Sequence, residues 1–393
     1  MHSAKFLAVA AAFFGSAIAK DCDDDIEVKE ANPVLSCDTV KGKIIVDDSV
    51  AGDLVLEGPE KIEGDIIINN ATGIISISSS TIESVEGKFE LVGLESLQRI
   101  GMNALTSINE LEMRKLPALR DLTFGSKGVT EATIVTITDT LIDDLSGLML
   151  DKVESLDINN NKRLTNFESS LVNITEALKI NNNGKGMTVN MPSLESAKEI
   201  QIANVGSFNV PALETVSASL KLDKCDIKSF RAANLTSIKK ALSFINNVQV
   251  TNISLPVLKE IGGDLRIVNN TKLTDIGSFP KLESMASINF GGNFKKGELP
   301  ALEDVPGAAE ISTTAKDDDG EEFCSYWDDL GDKIQGGVEC TYDNENALEG
   351  GDKEGGQNSD GSSNSDDDDA AGMVSVNTAL MGLGLLAGIA QLL

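Results

Sequence analysis

The chain has 393 residues, of which 41% are hydrophobic and 4% aromatic, and it carries a formal net charge of -29. That hydrophobic share suits an ordered body flanked by polar tails. The charge excludes a nucleic-acid partner, because phosphates are gripped by clustered Lys and Arg. It also repels anionic lipid heads, so any membrane contact has to be hydrophobic or covalent.

In chain order, residues 1–19 (MHSAKFLAVAAAFFGSAIA) read as a secretory signal peptide. Lys5 supplies the positive start, Phe6 to Phe14 the apolar stretch, and Ala17-Ile18-Ala19 the small-x-small site, with cleavage between Ala19 and Lys20. The apolar run is too short to cross a hydrocarbon core of ~30 Å. Residues 20–43 carry Cys22 and Cys37 and read as an N-terminal disulfide cap.

From 44 to 315 the chain repeats. Apolar residues open short strands at Ile44, Ile66, Phe89, Leu111, Val135, Leu156, Leu178, Ile200, Leu220, Leu242, Leu265 and Ile288. Two positions after each stands a second apolar residue, from Val46 to Phe290. Residues i and i+2 of a strand share a face, so each repeat sends two side chains inward. Five positions after the first comes Asn161, Asn183, Asn247, Asn270 or Asn293, and Cys225 in a sixth repeat. This is the L-x-L-x-x-N/C phase of leucine-rich repeats. Asparagines stacked at a corner would hydrogen-bond the backbone of adjacent coils. Cys225 reads as a small buried member of that ladder rather than a reactive thiol.

The linking segments LPVLKEIGG, FPKLESMAS, VPALETVSA and MPSLESAKE contain Pro and β-friendly residues, which disfavour helices. The expectation is an all-β solenoid of about 12 coils. At ~4.8 Å per coil it would run roughly 55–60 Å and need its end edges capped.

Residues 316–345, with Cys324 and Cys340, read as the second disulfide cap. A local pair at either end closes a loop of about 15 residues, worth roughly 3 kcal/mol. Spacing does not fix the connectivity; local pairing at both ends is the simplest choice, leaving Cys225 over. An acidic Gly/Ser/Asp linker follows at 346–372, and a hydrophobic segment at 373–393. Its apolar run from Ala379 is short of the ~20 residues a spanning helix needs and has no Lys or Arg behind it. Small residues, a polar spacer and an apolar tail are the order of a glycosylphosphatidylinositol (GPI) signal, in which the tail is cut off. Asn364, Asp369 and Ala370 are the attachment candidates. Asn70, Asn173, Asn234, Asn252 and Asn269 open N-x-S/T sequons, which together behind a signal peptide point to a glycosylated surface protein.

These features together resemble the fungal GPI-anchored cell-wall organisation family, of the sporulation-specific and extracellular-mutant type, with receptor L-domain-like repeats. LPVLKEIGGDLRIVNNTKLTDIG (255–277) carries the resemblance most specifically, and it extends from Lys20 to Leu393. It implies a protein on the outer face of the plasma membrane or in the wall, needed for wall integrity and without a settled catalytic activity. Where that family carries a Ser/Thr-rich stalk, this chain has the acidic GGDKEGGQNSDGSSNSDDDD. Partners would be wall glycans, wall proteins and, through the lipid, the outer leaflet.

The chemistry available is narrow. The one histidine is His2, inside the signal, so a mature chain lacks Ser-His-Asp and Cys-His mechanisms and His-containing zinc sites. A phosphate-cradling motif is also missing. No cofactor is expected. An alternative is a wall-polysaccharide hydrolase or transglycosylase using paired carboxylates, with Glu112, Asp157 and Asp264 as candidates. The aspartate runs at 23–25, 317–319 and 366–369 read as solvated charge: an EF-hand-like loop over 315–326 would place Ala315 and Tyr326 where carboxylates are required. Tyr326 and Trp327 read as a plug of the last coil, or else a binding patch.

Overall fold

The computed structural model describes residues 20–352. Its frame is one long parallel sheet whose strands stack coil upon coil. The register joins each expected strand start to the next: Ile44 to Ile66, Ile66 to Phe89, Phe89 to Leu111, Leu111 to Val135, and onward to Leu265 and Ile288. The fold is therefore the expected β-solenoid. The ladder also extends past the twelve expected starts. Strand Ile26–Val28 pairs with Ile44–Val46 before them, and Ala309–Thr313 and Val338–Thr341 follow Ile288.

Three physical devices close the coils, the first in every coil and the other two in some of them. The two inward positions of the strand are buried throughout, from Ile44 and Val46 to Ile288 and Phe290, and they form one continuous aliphatic core. The second device is the paired asparagine of the corner. The first Asn of the pair adopts a left-handed conformation, with φ of 55° at Asn160, 51° at Asn182, 58° at Asn246 and 55° at Asn269. Asn, Asp and Gly tolerate this region best, and the same column holds Asn70, Gly93, Asp139 and Asn204, with Lys115 and Lys224 adopting it as well. This turn aims the second Asn inward.

The inward asparagines stitch adjacent coils. Asn161 Nδ2 donates to the Ile137 carbonyl at 3.0 Å and Asn183 Nδ2 to that of Ile158 at 2.8 Å. Asn247 reaches Leu222 at 3.1 Å and Asn270 reaches Phe244 at 2.8 Å. Their Oδ1 atoms accept backbone N–H groups of the preceding coil: Asn183 from Asn161, Asn247 from Cys225, and Asn270 from Asn247. Cys225 occupies the same column, buried, with Sγ 3.4 Å from the Asp223 carbonyl. Thr140 begins the column by donating to Asn161 Oδ1 through its backbone and its hydroxyl. Asn293 sits at the outer edge instead, half-buried and bonded to Thr271 O and Thr314 Oγ1, while the adjacent Phe294 fills the interior.

The third device is the x-Pro-x-Leu segment. Leu258 N–H donates to Leu255 O, Leu282 to Phe279, Leu213 to Val210 and Leu194 to Met191, each 3.2–3.3 Å. These are β-turns with Pro at the second position, where its fixed φ is already correct. Both end residues are buried.

The ends are closed differently. The Cys22–Cys37 disulfide holds a loop whose Leu35 is buried at the first coil. At the other end a helix, Asp317–Asp328, seals the core with Phe323 and Trp327, and Cys324 bonds Cys340 of the last strand. Its first turn holds Asp317, Asp318 and Asp319, where negative charge favours the positive end of the helix dipole. The EF-hand-like run is thus a helix start. Trp327 is fully buried with its ring centroid 5.5 Å from Phe290 and 6.3 Å from Phe323.

Candidate binding faces

With alternate residues pointing inward, the residues between them form an outer face along the long sheet. At its N-terminal part this face is an ion-pair network. Lys88 Nζ lies 3.0 Å from Glu90 and 3.2 Å from Glu110, and also pairs with Glu112, which bonds Arg114 as well. Burial works against the Lys88 charge, but the hydrogen-bonded carboxylates of Glu112, Glu90 and Glu110 outweigh it and hold the ammonium well above its usual range. Lys43 pairs with Asp65 at 2.9 Å, and this contact, with the Lys88 backbone N–H, keeps Asp65 below the ordinary carboxylate range.

Further along, Asp157, Lys179, Gln201, Lys221, Ser243 and Arg266 occupy one outward column, one per coil. Asp157 is half-buried, and loss of solvent pushes its carboxyl above the usual range against the pull of Lys179 and Arg114.

The candidate carboxylates lie on three different coils. Glu112 is aligned with Thr136, and Thr136 with Asp157, so two strand spacings, about 9.6 Å, separate their backbones. Glu112 is held in its ion pairs, whereas Asp264 lies several coils away and accepts a hydrogen bond from Ser287 at 2.6 Å. Four clefts of about 370 to 650 Å³ on the solenoid are lined by other residues. Among the described residues no group of three or more His, Cys, Asp or Glu is placed to hold a metal ion.

The sequons lie off this outward column. Asn70 and Asn269 are at the left-handed corner, Asn234 precedes strand Ser237–Ile238, Asn252 opens the side strand Asn252–Ser254, and Asn173 opens strand Asn173–Asn181. Asn70, Asn173, Asn234 and Asn252 are exposed, and Asn269 is half-buried with its amide donating to Asn246 at 2.8 Å. Ala19, the GPI candidates Asn364, Asp369 and Ala370, and the aspartate run at 366–369 fall outside the described residues. The backbone nitrogen of Lys20 lies 3.1 Å from Asp38 Oδ2. What the reading of 316–345 as a disulfide cap did not place is the capping helix, and with it a cleft lined by both Tyr326 and Lys296. The signal was present: Gly320, Phe323, Cys324 and Trp327 recur at i, i+3, i+4 and i+7 behind three aspartates.

A capped parallel β-solenoid with corner asparagines and a polar outer face defines a repeat protein of the extended-surface class. Comparison with curated proteins places it further. The chain is 31% identical over 364 residues to a cell surface GPI-anchored protein of Arthroderma benhamiae, covering 91% of this chain and 92% of the relative. It is 30% identical over 286 residues to protein ecm33 of Aspergillus fumigatus, covering 72% and 71%. Against sporulation-specific protein 2 of Saccharomyces cerevisiae it is 30% identical over 308 residues, covering 78% and 61%. No protein-family model matches the sequence, and no solved structure matches it. The chain belongs to the fungal family of GPI-anchored cell-surface and cell-wall proteins that includes ecm33 and the sporulation-specific proteins.

Proposed function

We propose that this protein is a lipid-tethered scaffold of the fungal wall that binds wall glycans or wall proteins on the outer face of its long sheet, without turning them over. The observation that carries the reading is the continuous outward column from Asp157 to Arg266, polar, regularly spaced and away from the five sequons. Stacked coils offer area rather than a pocket, which suits an extended partner. The names of the relatives, cell wall and cell surface proteins, support the location. The same reading takes the signal as cut after Ala19, the five sequons as glycosylated, and the lipid as attached at Asn364, Asp369 or Ala370.

Two measurements test it. Phosphatidylinositol-specific phospholipase C, with glucanase alongside, should release the protein from cells; failure of both removes the anchor. The full chain on an array of wall oligosaccharides and wall proteins should bind without releasing soluble product. Product release lost in Asp157→Asn would replace the scaffold with a hydrolase.

A further inference from the structure

A cleft of about 650 Å³ lies between the capping helix and the flank of the solenoid. Asp275, Lys296 and Glu298 line it from the solenoid, Glu322 and Tyr326 from the helix, and Asp329 from its C-cap. Two links fix its walls. Asp275 bridges to Lys296 in parallel register, and the Leu299 N–H donates to the Tyr326 hydroxyl oxygen at 2.7 Å.

The floor is built from glycine. A Cβ on Gly297 would meet Ile276 at 2.2 Å and Phe323 at 3.2 Å, so only glycine brings the backbone this close to the core while the helix stays docked. Gly277, exposed, leaves the neighbouring floor bare of side chain. Among the described residues, the side chains of Lys296, Glu298, Glu322 and Asp329 enter no ion pair, whereas Lys295 at the rim is held by Asp319 at 2.9 Å.

We propose that this cleft is a saccharide subsite, taking one or two uncharged, hydroxyl-rich sugar units. The inference builds on the wall-scaffold reading for the source of the sugar but uses a different surface. Carboxylates accept from sugar hydroxyls and the ammonium donates to their oxygens, and charge-assisted hydrogen bonds are the stronger kind. The half-buried Tyr326 ring supplies an apolar platform for the C–H face of a pyranose. The volume lies within the range of ordinary small-ligand sites, roughly 300–1,000 Å³. Four carboxylates against one uncommitted ammonium repel an anionic ligand.

The sugar has two possible sources. One is wall polysaccharide. The other is the protein's own N-glycan at Asn252, because the coil of Asn252 stacks on that of Asp275, with Leu255 N–H donating to Ser278 O at 3.2 Å.

The test is calorimetric titration of the full chain, secreted as a glycoprotein, with laminarihexaose, chitohexaose, mannohexaose and hexalysine. At least one neutral oligosaccharide should bind either the parent chain or Asn252→Gln. Lys296→Ala and Asp329→Ala, both at exposed positions, should each weaken it roughly tenfold with thermal stability unchanged. Lys185→Ala, exposed and part of neither surface, should leave it as it was. Binding that appears or tightens about tenfold in Asn252→Gln identifies the resident glycan as occupant; equal binding identifies an external one. The proposal is overturned if no neutral oligosaccharide binds either form at about 10 mM, if Lys296→Ala and Asp329→Ala leave binding unchanged, or if only hexalysine binds and salt abolishes it. Binding lost through Lys221→Ala alone would overturn the cleft and leave the sheet-face scaffold standing.

Discussion

Replacing Asn247 by alanine isolates the corner ladder. The side chain is fully buried, its Nδ2 donates to Leu222 O at 3.1 Å, and its Oδ1 accepts from Cys225 N–H at 2.9 Å. Asn247→Ala leaves the buried Cys225 N–H without its acceptor, and it takes the side-chain donor from the Leu222 carbonyl, which keeps its strand neighbour. The orphaned N–H costs about 1–3 kcal/mol and the lost amide bond about 1 kcal/mol, so the loss should be roughly 2–4 kcal/mol, a large share of a typical total of about 5–15 kcal/mol. Asn247→Asp keeps the acceptor but sets an oxygen against the Leu222 carbonyl and should also destabilise. Asn181→Ala, at an outward half-buried position, should change stability by less than about 0.5 kcal/mol. The assay is the urea midpoint of the full chain, with amide exchange at Cys225 reporting the orphaned donor. If Asn247→Ala unfolds at the same urea concentration as Asn181→Ala, the ladder is not what holds adjacent coils in register.

Burial pushes the Cys225 thiol up to about 11 from 9.0, so native protein at pH 8 should resist iodoacetamide while urea-unfolded protein is alkylated. Since the folded thiol keeps its proton longer than the unfolded one, its contribution is fully present below pH 9 and declines as pH rises from about 9 to 11. The decline should total on the order of 2–3 kcal/mol, and Cys225→Ala should flatten it in denaturation series across that range. Replacing both Cys324 and Cys340 by serine opens a loop of sequence separation 16 and should cost about 3 kcal/mol; limited proteolysis should then cut first around the capping helix. Mass spectrometry of secreted protein should find Lys20 as the first residue, its new ammonium facing Asp38, and Asp38→Asn should lower thermal stability slightly at low salt. A different first residue refutes that pairing.

The sequence by itself determined the period, the two inward positions of each coil and the corner asparagine. Each follows from a local rule: strand side chains alternate, proline fixes its own φ, and Asn tolerates the left-handed turn. Thus LRIVNN (265–270) already says which residues enter the core, Leu265 and Ile267 in the strand and Asn270 at the corner. The capping helix was legible too, in the i, i+3, i+4, i+7 pattern of Gly320, Phe323, Cys324 and Trp327, although the all-β rhythm before it argued the other way. Only the tertiary structure decided that Asn293 leaves the ladder, because Phe294 takes the interior there and packs against Phe290 and Phe323 of neighbouring segments. It alone decided that Glu112 is neutralised by Lys88, 24 residues earlier, and that Lys296 shares a cleft with Tyr326 and Asp329. Periodicity fixes where a residue points within its own coil. Which groups meet depends on how many residues each intervening coil contains and on where the end cap docks, and those are sums over the whole stack.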